Sequence, residues 1–295
     1  MGIRLVYGLQ TGDASYLDIF YPSRRLKEAA LAAGMDYAAI IHSPSDPASR
    51  ILDFCADGTE THVALLRGEL PDSLFSFLEA EGIRVVNPAT AVALARDKLA
   101  SAGFFGSIGA QHPRTVMARH DLLPLPFVAK PRYGKMGRGV VLMESHEQWS
   151  EYQAEAAAKG QETIVQEFIG AATGRDIRFF FADFTVSSGT NMDSAAGWVC
   201  VMRSAPGFLS NAHAGGSMCT FTPPEYLQRE AERIFAASGL IYGTVDFLFA
   251  NEEGSQFVVC ELNANPGFEE LERSMKIDVA AAIIASAMAG KEMTQ

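Results

Sequence analysis

The chain is poor in the features that usually assign a protein quickly. Among 295 residues there are four cysteines, Cys55, Cys200, Cys219 and Cys260. They form no C-x-x-C pair and no metal-ligand spacing, and each sits beside apolar residues, so all four are expected as buried thiols. No apolar run approaches the ~20 residues that span a bilayer, and no membrane association is expected. The opening Met1 to Gly8 reads as a first strand, because no long apolar stretch with a cleavage site follows. The cytoplasm is therefore the expected location. Positive charge is in deficit, 24 Lys and Arg against 35 Asp and Glu, a formal charge of −11. That balance argues against nucleic acid as the main partner while leaving room for a local basic pocket. There are no internal repeats, no low-complexity tract, and no Ser/His/Asp or Cys/His arrangement suited to a protein nucleophile.

What is present is an ordinary globular composition, 48% apolar and 20% charged, long enough for two or three small lobes. The first part alternates strands and helices: strands at Ile3–Tyr7, Tyr37–Ile41, His62–Leu66 and Ile83–Val86, helices at Pro22–Ala33 and Pro71–Ala80. This spacing predicts a small parallel α/β unit. Asn87-Pro88 then punctuates the chain. A single helix is expected over Thr90–Ala102. Phe127–Phe181 reads as strand, glycine-rich turn, strand, helix, strand, strand. Ala195–Phe257 reads as mainly antiparallel with one helix, Pro224–Ala237, and Val279–Met288 as a closing helix.

Three stretches carry chemistry. Near the C-terminus, Val259-Cys260-Glu261-Leu262-Asn263 follows the apolar strand Thr244–Phe249, which contains Asp246. Side chains alternate along a strand, so Glu261 and Asn263 share a face, and charges at the ends of apolar strands are costly unless compensated. Oxygen donors of this kind suit Mg²⁺ held together with nucleotide phosphates; alone, Glu-x-Asn is more often a solvated strand end. Second, Phe127–Pro131 leads into a loop with Gly134, Gly137 and Gly139 and then a strand. Glycines allow close backbone approach to phosphate, and Lys130 offers a point charge, although a hairpin with a flexible tip has the same spacing. No G-K-[ST] opens a helix, so this is not a Walker loop. Third, Ile164–Ile169 is an apolar strand running into a Gly/Ala-rich link, a plausible place for backbone groups to meet an adenine edge.

The order of these pieces resembles the ATP-grasp superfamily and, within it, the RimK-like carboxylate–amine (glutamate) ligases. The matching residues are Ala95–Leu99, Lys130 with the Gly134–Gly139 loop, Gln166–Ile169 with Gly174–Arg178, Ser210–Gly216, Val245-Asp246, Glu261–Gly267 and Ile277-Asp278. The resemblance implies an α/β ATP-grasp fold with an N-terminal parallel lobe (1–88), a small central lobe (89–170) and a C-terminal mixed-sheet lobe (171–295). It implies that Lys98 and Lys130 contact ATP phosphates under the Gly134–Gly139 loop, and that Glu167, Phe168 and Ile169 meet the adenine and Asp176 the ribose. Asp246, Glu261 and Asn263 would hold Mg²⁺, with Mn²⁺ as an alternative. Arg178, Arg203 and Asn211 would face the transferred phosphoryl group. The implied reaction converts a carboxylate to an acyl-phosphate and lets an amine displace phosphate, with an amino acid such as glutamate as one partner.

The loop around Asn211 departs from the family pattern. Leu209 and Ala214 stand where many relatives carry arginine, and the segment from Arg203 to Phe208 is shorter. This puts in doubt the substrates of the relative that adds glutamate to a ribosomal protein. The acceptor is left open between a free amino acid, a peptide, a protein and a carrier, and so is the oligomeric state. His213 either touches substrate or is an ordinary loop histidine. Arg24-Arg25-Leu26-Lys27 is either a solvated helix face or a cationic patch for an acidic substrate. Arg67, directly after a predicted strand, is better placed for the second role. A small-molecule kinase on the same scaffold and a nucleotide-binding regulator without turnover are the rival functions. A stable phosphorylated product would mark the first, and binding without ADP formation the second.

Overall fold

The fold is described for residues 2–9, 13, 15–57, 62–118, 123–135, 137–186, 197–210 and 216–289 of a computed structural model, and it rests on three sheets. Strands β1 (Gly2–Gly8), β2 (Asp36–His42), β3 (His62–Gly68) and β4 (Arg84–Val86) lie in the order β2-β1-β3-β4, all parallel. Parallel neighbours need crossovers, supplied by α1 (Tyr16–Ile19), α2 (Tyr21–Ala32), α3 (Ala48–Ala56) and α4 (Asp72–Ala80). The strand order reverses between β1 and β3, the place where α/β sheets open a crevice. There the backbones touch: a Cβ added to Gly68 would lie 2.3 Å from the Gly8 carbonyl oxygen.

The helix expected over Thr90–Ala102 is two helices, α5 (Ala89–Arg96) and α6 (Lys98–Ser107), broken at Asp97. The reason is local. The Asp97 carboxylate accepts from the backbone N–H of Leu99 (3.0 Å) and Ala100 (3.1 Å), capping α6 at the expense of a continuous helix. The same carboxylate takes Arg132 at 2.9 and 2.6 Å and the Tyr133 hydroxyl at 3.1 Å. The break brings Lys98 to the first turn of α6, facing the glycine-rich loop.

The central sheet contains β5 (Thr115–Met117), β6 (Phe127–Pro131), β7 (Val141–Met143) and β8 (Thr163–Glu167) in the antiparallel order β5-β8-β6-β7. Helix α7 (His146–Ala158) covers one face, and Trp149 meets the Phe127 ring edge-on at 5.3 Å in a small core of its own. The third sheet contains β9 (Arg175–Phe181), β10 (Trp198–Ser204), β11 (Ser217–Thr220), β12 (Gly243–Phe249) and β13 (Phe257–Asn263), in the antiparallel order β11-β10-β9-β12-β13. Helices α8 (Glu225–Ser238), α9 (Glu269–Met275) and α10 (Val279–Ala289) complete the chain.

Alternation along β9 divides its side chains between two cores. Ile177, Phe179 and Phe181 join Val6, Ala64 and Leu66 of the first sheet. Phe180 joins Ile3, Leu5, Val63 and Leu65, together with α10. Among the described residues the first and third sheets thus share both large cores, and the central sheet has a separate one. Among the described residues no helix is long and apolar enough to cross a membrane.

Burial opposes ionisation of Asp97, but hydrogen bonds from Arg132, the Ala100 amide and Tyr133 outweigh it and hold the carboxyl below its usual range. A depressed carboxyl stabilises the fold above its unfolded pKa, near ~4, and that contribution is lost as pH falls through the lower folded value. Asn is also a good cap, so Asp97→Asn isolates the charge. The variant is expected to lose about 1–3 kcal/mol at pH 7 and to converge on the wild type in strong acid, as read by melting curves across pH. A difference that stays constant with pH would contradict this assignment.

Candidate active site

The three sheets meet around a cleft of about 1090 Å³. One face of the third sheet is apolar at Phe180, Val199 and Val201 and charged at the other end, where Asp176, Arg178, Arg203 and Asp246 lie together. Asp246 accepts from Arg178 at 2.9 and 2.6 Å and from Arg203 at 3.0 Å. Arg203 also donates to both oxygens of Asp176, and Ser210 Oγ donates to Asp176 at 2.7 Å. The side chains of Asp176, Arg203 and Asp246 are at most 8% exposed. Burial opposes the ionised form of Asp246, yet Arg178 and Arg203 keep its carboxyl below the ordinary range.

On β13 the strand pattern changes phase. Phe257 and Val259 point into the core, and so do Leu262 and Ala264. Between them Asp246 pairs with Glu261 while Phe247 pairs with Val259, which makes Cys260 the extra residue of a β-bulge. Without it, strict alternation would send Glu261 into the core. With it, Glu261 and Asn263 face the cleft beside Asp246. Lys98 Nζ meets Glu261 Oε1 at 3.0 Å and the Gly134 carbonyl at 2.7 Å. Burial again opposes ionisation of Glu261, and Lys98 holds its carboxyl low.

The opposite wall is the central sheet. Phe127 and Ala129 fill its small core, so Val128 and Lys130 turn to the cleft. Lys130 is buried and donates to Gln166 Oε1 at 2.8 Å, and Gln166 Nε2 donates to Thr115 Oγ1 at 2.8 Å. Gly134 and Gly137 border the cleft. Gly139, at φ +72°, lies against Pro131 and accepts from the Tyr152 hydroxyl at 2.8 Å. Lys135 of this loop reaches Glu69 beyond β3 at 2.6 Å. Glu167, Phe168 and Ile169 line the far end, where the exposed Glu167 carboxylate accepts from the Arg114 amide at 3.1 Å.

Of the residues singled out in the sequence, Asn211, with His213 and Ala214, lies outside the described residues. Asp176, expected beside the ribose, spends its carboxylate on Arg203 and Ser210. Arg67 is not an available cation. It lies within β3, is 2% exposed, and donates to the Tyr242 hydroxyl at 2.9 Å and the Pro266 carbonyl at 2.8 Å. The α2 charges are paired along the surface, Arg24 and Arg25 with Glu28 and Lys27 with Asp18, while Arg25 also reaches Glu272. Two of the thiols expected to be buried are not: Cys219 is exposed on the outer strand β11, and Cys260 is brought partly to the cleft by the bulge. The sequence pattern carries no signal for the bridging role of Asp97 or for the side-chain bonds of Asn87, whose partners are distant in the chain.

Oxygen donors from two carboxylates and an amide fit a hard cation that completes its shell with phosphate and water. No cluster of three or more acidic, His or Cys side chains able to hold a metal occurs among the described residues.

This combination of sheets and cleft is that of the ATP-grasp proteins. The D-alanine–D-alanine ligase of Bacillus anthracis, solved in complex with ATP, superposes with a TM-score of 0.70 over 97% of this chain and 96% of its own, at 16% identity. A RimK domain ATP-grasp protein of Sphaerobacter thermophilus superposes at 0.63 over 96% and 99%, at 22% identity. In sequence, a Stenotrophomonas maltophilia protein named "probable alpha-L-glutamate ligase" is 31% identical over 291 residues, 90% of this chain and 93% of that protein. A model of the RimK-like ATP-grasp domain matches residues 93–287. The chain belongs to the RimK-like ATP-grasp family, as its motifs suggested, and is an ATP-dependent ligase.

Removing one partner of a buried ion pair leaves an uncompensated charge. Asp176→Ala is accordingly expected to cost about 3–5 kcal/mol in urea denaturation. A loss below about 1 kcal/mol, the range of exposed pairs, would mean that Asp246 alone satisfies Arg203.

Proposed function

We propose that this protein joins a carboxylate to an amine through an acyl-phosphate formed with Mg·ATP, with L-glutamate as one substrate. The observation that carries the reading is the convergence of Asp246, Glu261 and Asn263 with Arg178, Arg203, Lys98 and Lys130 on one cleft. Among the described residues along the whole cleft nine Lys and Arg stand against seven Asp and Glu, a cationic excess that suits a polyphosphate. Phosphoryl transfer needs little beyond positioning and charge stabilisation.

In this reading Lys98 and Lys130 bind phosphate oxygens and the Gly134–Gly139 loop covers them. Phe168 and Ile169 meet the adenine. Arg178 and Arg203 face the γ-phosphoryl group as the substrate carboxylate attacks it, and Asn211 belongs to the same group by its motif. Asp176 holds Arg203 at the angle this requires. Asp246, Glu261 and Asn263 would hold Mg²⁺, whose charge would offset that of the phosphates. The substrate carboxylate is itself the nucleophile, which accords with the cleft lining. No histidine lines it among the described residues, and the loss of water around the partly covered Cys260 thiol pushes it up to about 11, so it stays protonated near neutrality.

Glutamate is favoured by the name of the Stenotrophomonas relative. Leu209, in place of a family arginine, lines the cleft near Ser210, so the second substrate need not be that of the ribosomal-protein ligase. A free amino acid, a peptide, a protein tail or a carrier all remain in the same chemical class. ATP dependence is consistent with work in the cytoplasm.

ADP release with Mg·ATP, L-glutamate and a panel of amines, with mass spectrometry of the products, tests the reading. A glutamyl amide formed together with ADP is expected. Glu261→Gln should lower that rate by about two orders of magnitude or more while keeping the fold, since a metal's charge stabilisation is worth several kcal/mol. A phosphorylated product that needs no amine, or unchanged turnover in Glu261→Gln, would contradict the proposal.

A further inference from the structure

The strands that carry the candidate metal ligands are fastened at their ends by the first sheet. Asn87, immediately after β4, is 1% exposed, and its side chain makes four hydrogen bonds. Its Nδ2 donates to the carbonyls of Tyr242 (2.9 Å) and Ala264 (2.7 Å), and its Oδ1 accepts from the amides of Ile241 (2.7 Å) and Tyr242 (3.1 Å). Arg67 ties the same two segments, through the Tyr242 hydroxyl and the Pro266 carbonyl. Its guanidinium lies 5.7 Å from the Tyr242 ring centre and 5.4 Å from that of Phe268, which offsets part of the cost of burying a cation.

These two segments bound the metal-ligand strands. Tyr242 directly precedes β12, which carries Asp246. Ala264 to Pro266 directly follows β13, which carries Glu261 and Asn263. The contact between the strands is close: Thr244 pairs with Asn263, and a Cβ on Gly243 would lie 2.6 Å from the Asn263 carbonyl oxygen. The turn also fixes the Asn263 side chain, because its Oδ1 accepts from the Asn265 amide at 3.1 Å. A shift of Ala264–Pro266 would therefore move the Asn263 amide oxygen and change the spacing of Glu261 from Asp246.

We infer that Asn87 and Arg67 are positioning residues for the metal ligands, so that the N-terminal sheet supplies the outer shell of a site whose inner donors belong to the C-terminal sheet. The inference rests on the Mg²⁺ reading of Asp246, Glu261 and Asn263. Groups that hydrogen-bond a ligand directly typically set metal affinity by 10- to 100-fold, and Asn87 and Arg67, which act through the segments flanking the ligand strands, are expected at the lower end of that range.

Mn²⁺ is the probe, titrated by electron paramagnetic resonance into the full chain saturated with a non-hydrolysable ATP analogue; binding of the analogue without metal is measured in parallel. Asn87→Ala and Arg67→Met should weaken Mn²⁺ by about 10-fold and leave metal-free analogue binding unchanged, and Arg67→Lys should recover part of the loss. Because Asn87→Ala removes four buried bonds, Tyr242→Phe serves as a variant that keeps the fold and loses only one contact to Arg67; it should weaken Mn²⁺ more mildly. Variants that melt lower yet bind Mn²⁺ like the wild type would overturn the inference and leave the ligase reading standing. Wild-type protein that binds the analogue but no Mn²⁺ would overturn both the metal reading and this inference.

Discussion

Asp246 carries two arginines at once in a nearly dry position, and the arrangement of the site follows from that contact. A buried carboxylate is tolerated only with cations and donors around it, and buried ion pairs contribute little net stability compared with apolar packing. The cluster of Asp176, Arg178, Arg203 and Asp246 is thus poorly explained as a stabilising device. Its chemistry suits a ligand that can be shared between carboxylates and cations, a phosphate chain with a hard metal. Each neighbouring feature serves the same requirement. The β-bulge at Cys260 adds Glu261, the break at Asp97 adds Lys98, and the small-core central sheet adds Lys130 on an opposing wall.

The layered packing separates the steady parts of the site from the adjustable one. The first and third sheets share two cores, so Asp246, Glu261, Arg178 and Arg203 sit on one continuous body. The central sheet has a small core of its own and meets that body through backbone bonds, such as the Lys98 amide to the Arg132 carbonyl, and through charged contacts: Arg132 with Asp97, Lys98 with the Gly134 carbonyl, and Lys135 with Glu69. The exposed Lys135–Glu69 pair exchanges readily with water and phosphate, whereas packed apolar cores and the mostly buried Asp97–Arg132 pair do not. A wall held in this way is suited to closing over a nucleotide.

Much of this was legible in the chain. The period-two pattern placed Glu261 and Asn263 on one face, the glycine spacing marked the loop after Lys130, and strand–helix alternation gave the parallel first sheet. What escaped had physical reasons. The phase change between Val259 and Leu262 is written in the apolar pattern, yet it becomes a bulge only against the partner strand β12. Ala95 to Leu99 has good helical propensity, and only the capping and ion-pair geometry of Asp97 breaks it. Arg67 and Asn87 read as a substrate-facing cation and a turn residue because their partners lie 154 to 199 positions away. Cys219 gave a burial signal from its apolar neighbours but falls on an edge strand.

The most direct test of the account is a crystal structure with Mg²⁺ and a non-hydrolysable ATP analogue. Oxygens of Asp246 and Glu261 are expected at about 2.0–2.1 Å from the metal, with Arg178 and Arg203 on the terminal phosphate and Lys98 and Lys130 on the others. A nucleotide bound elsewhere, with Asp246 still holding both arginines and Glu261 still on Lys98, would contradict it.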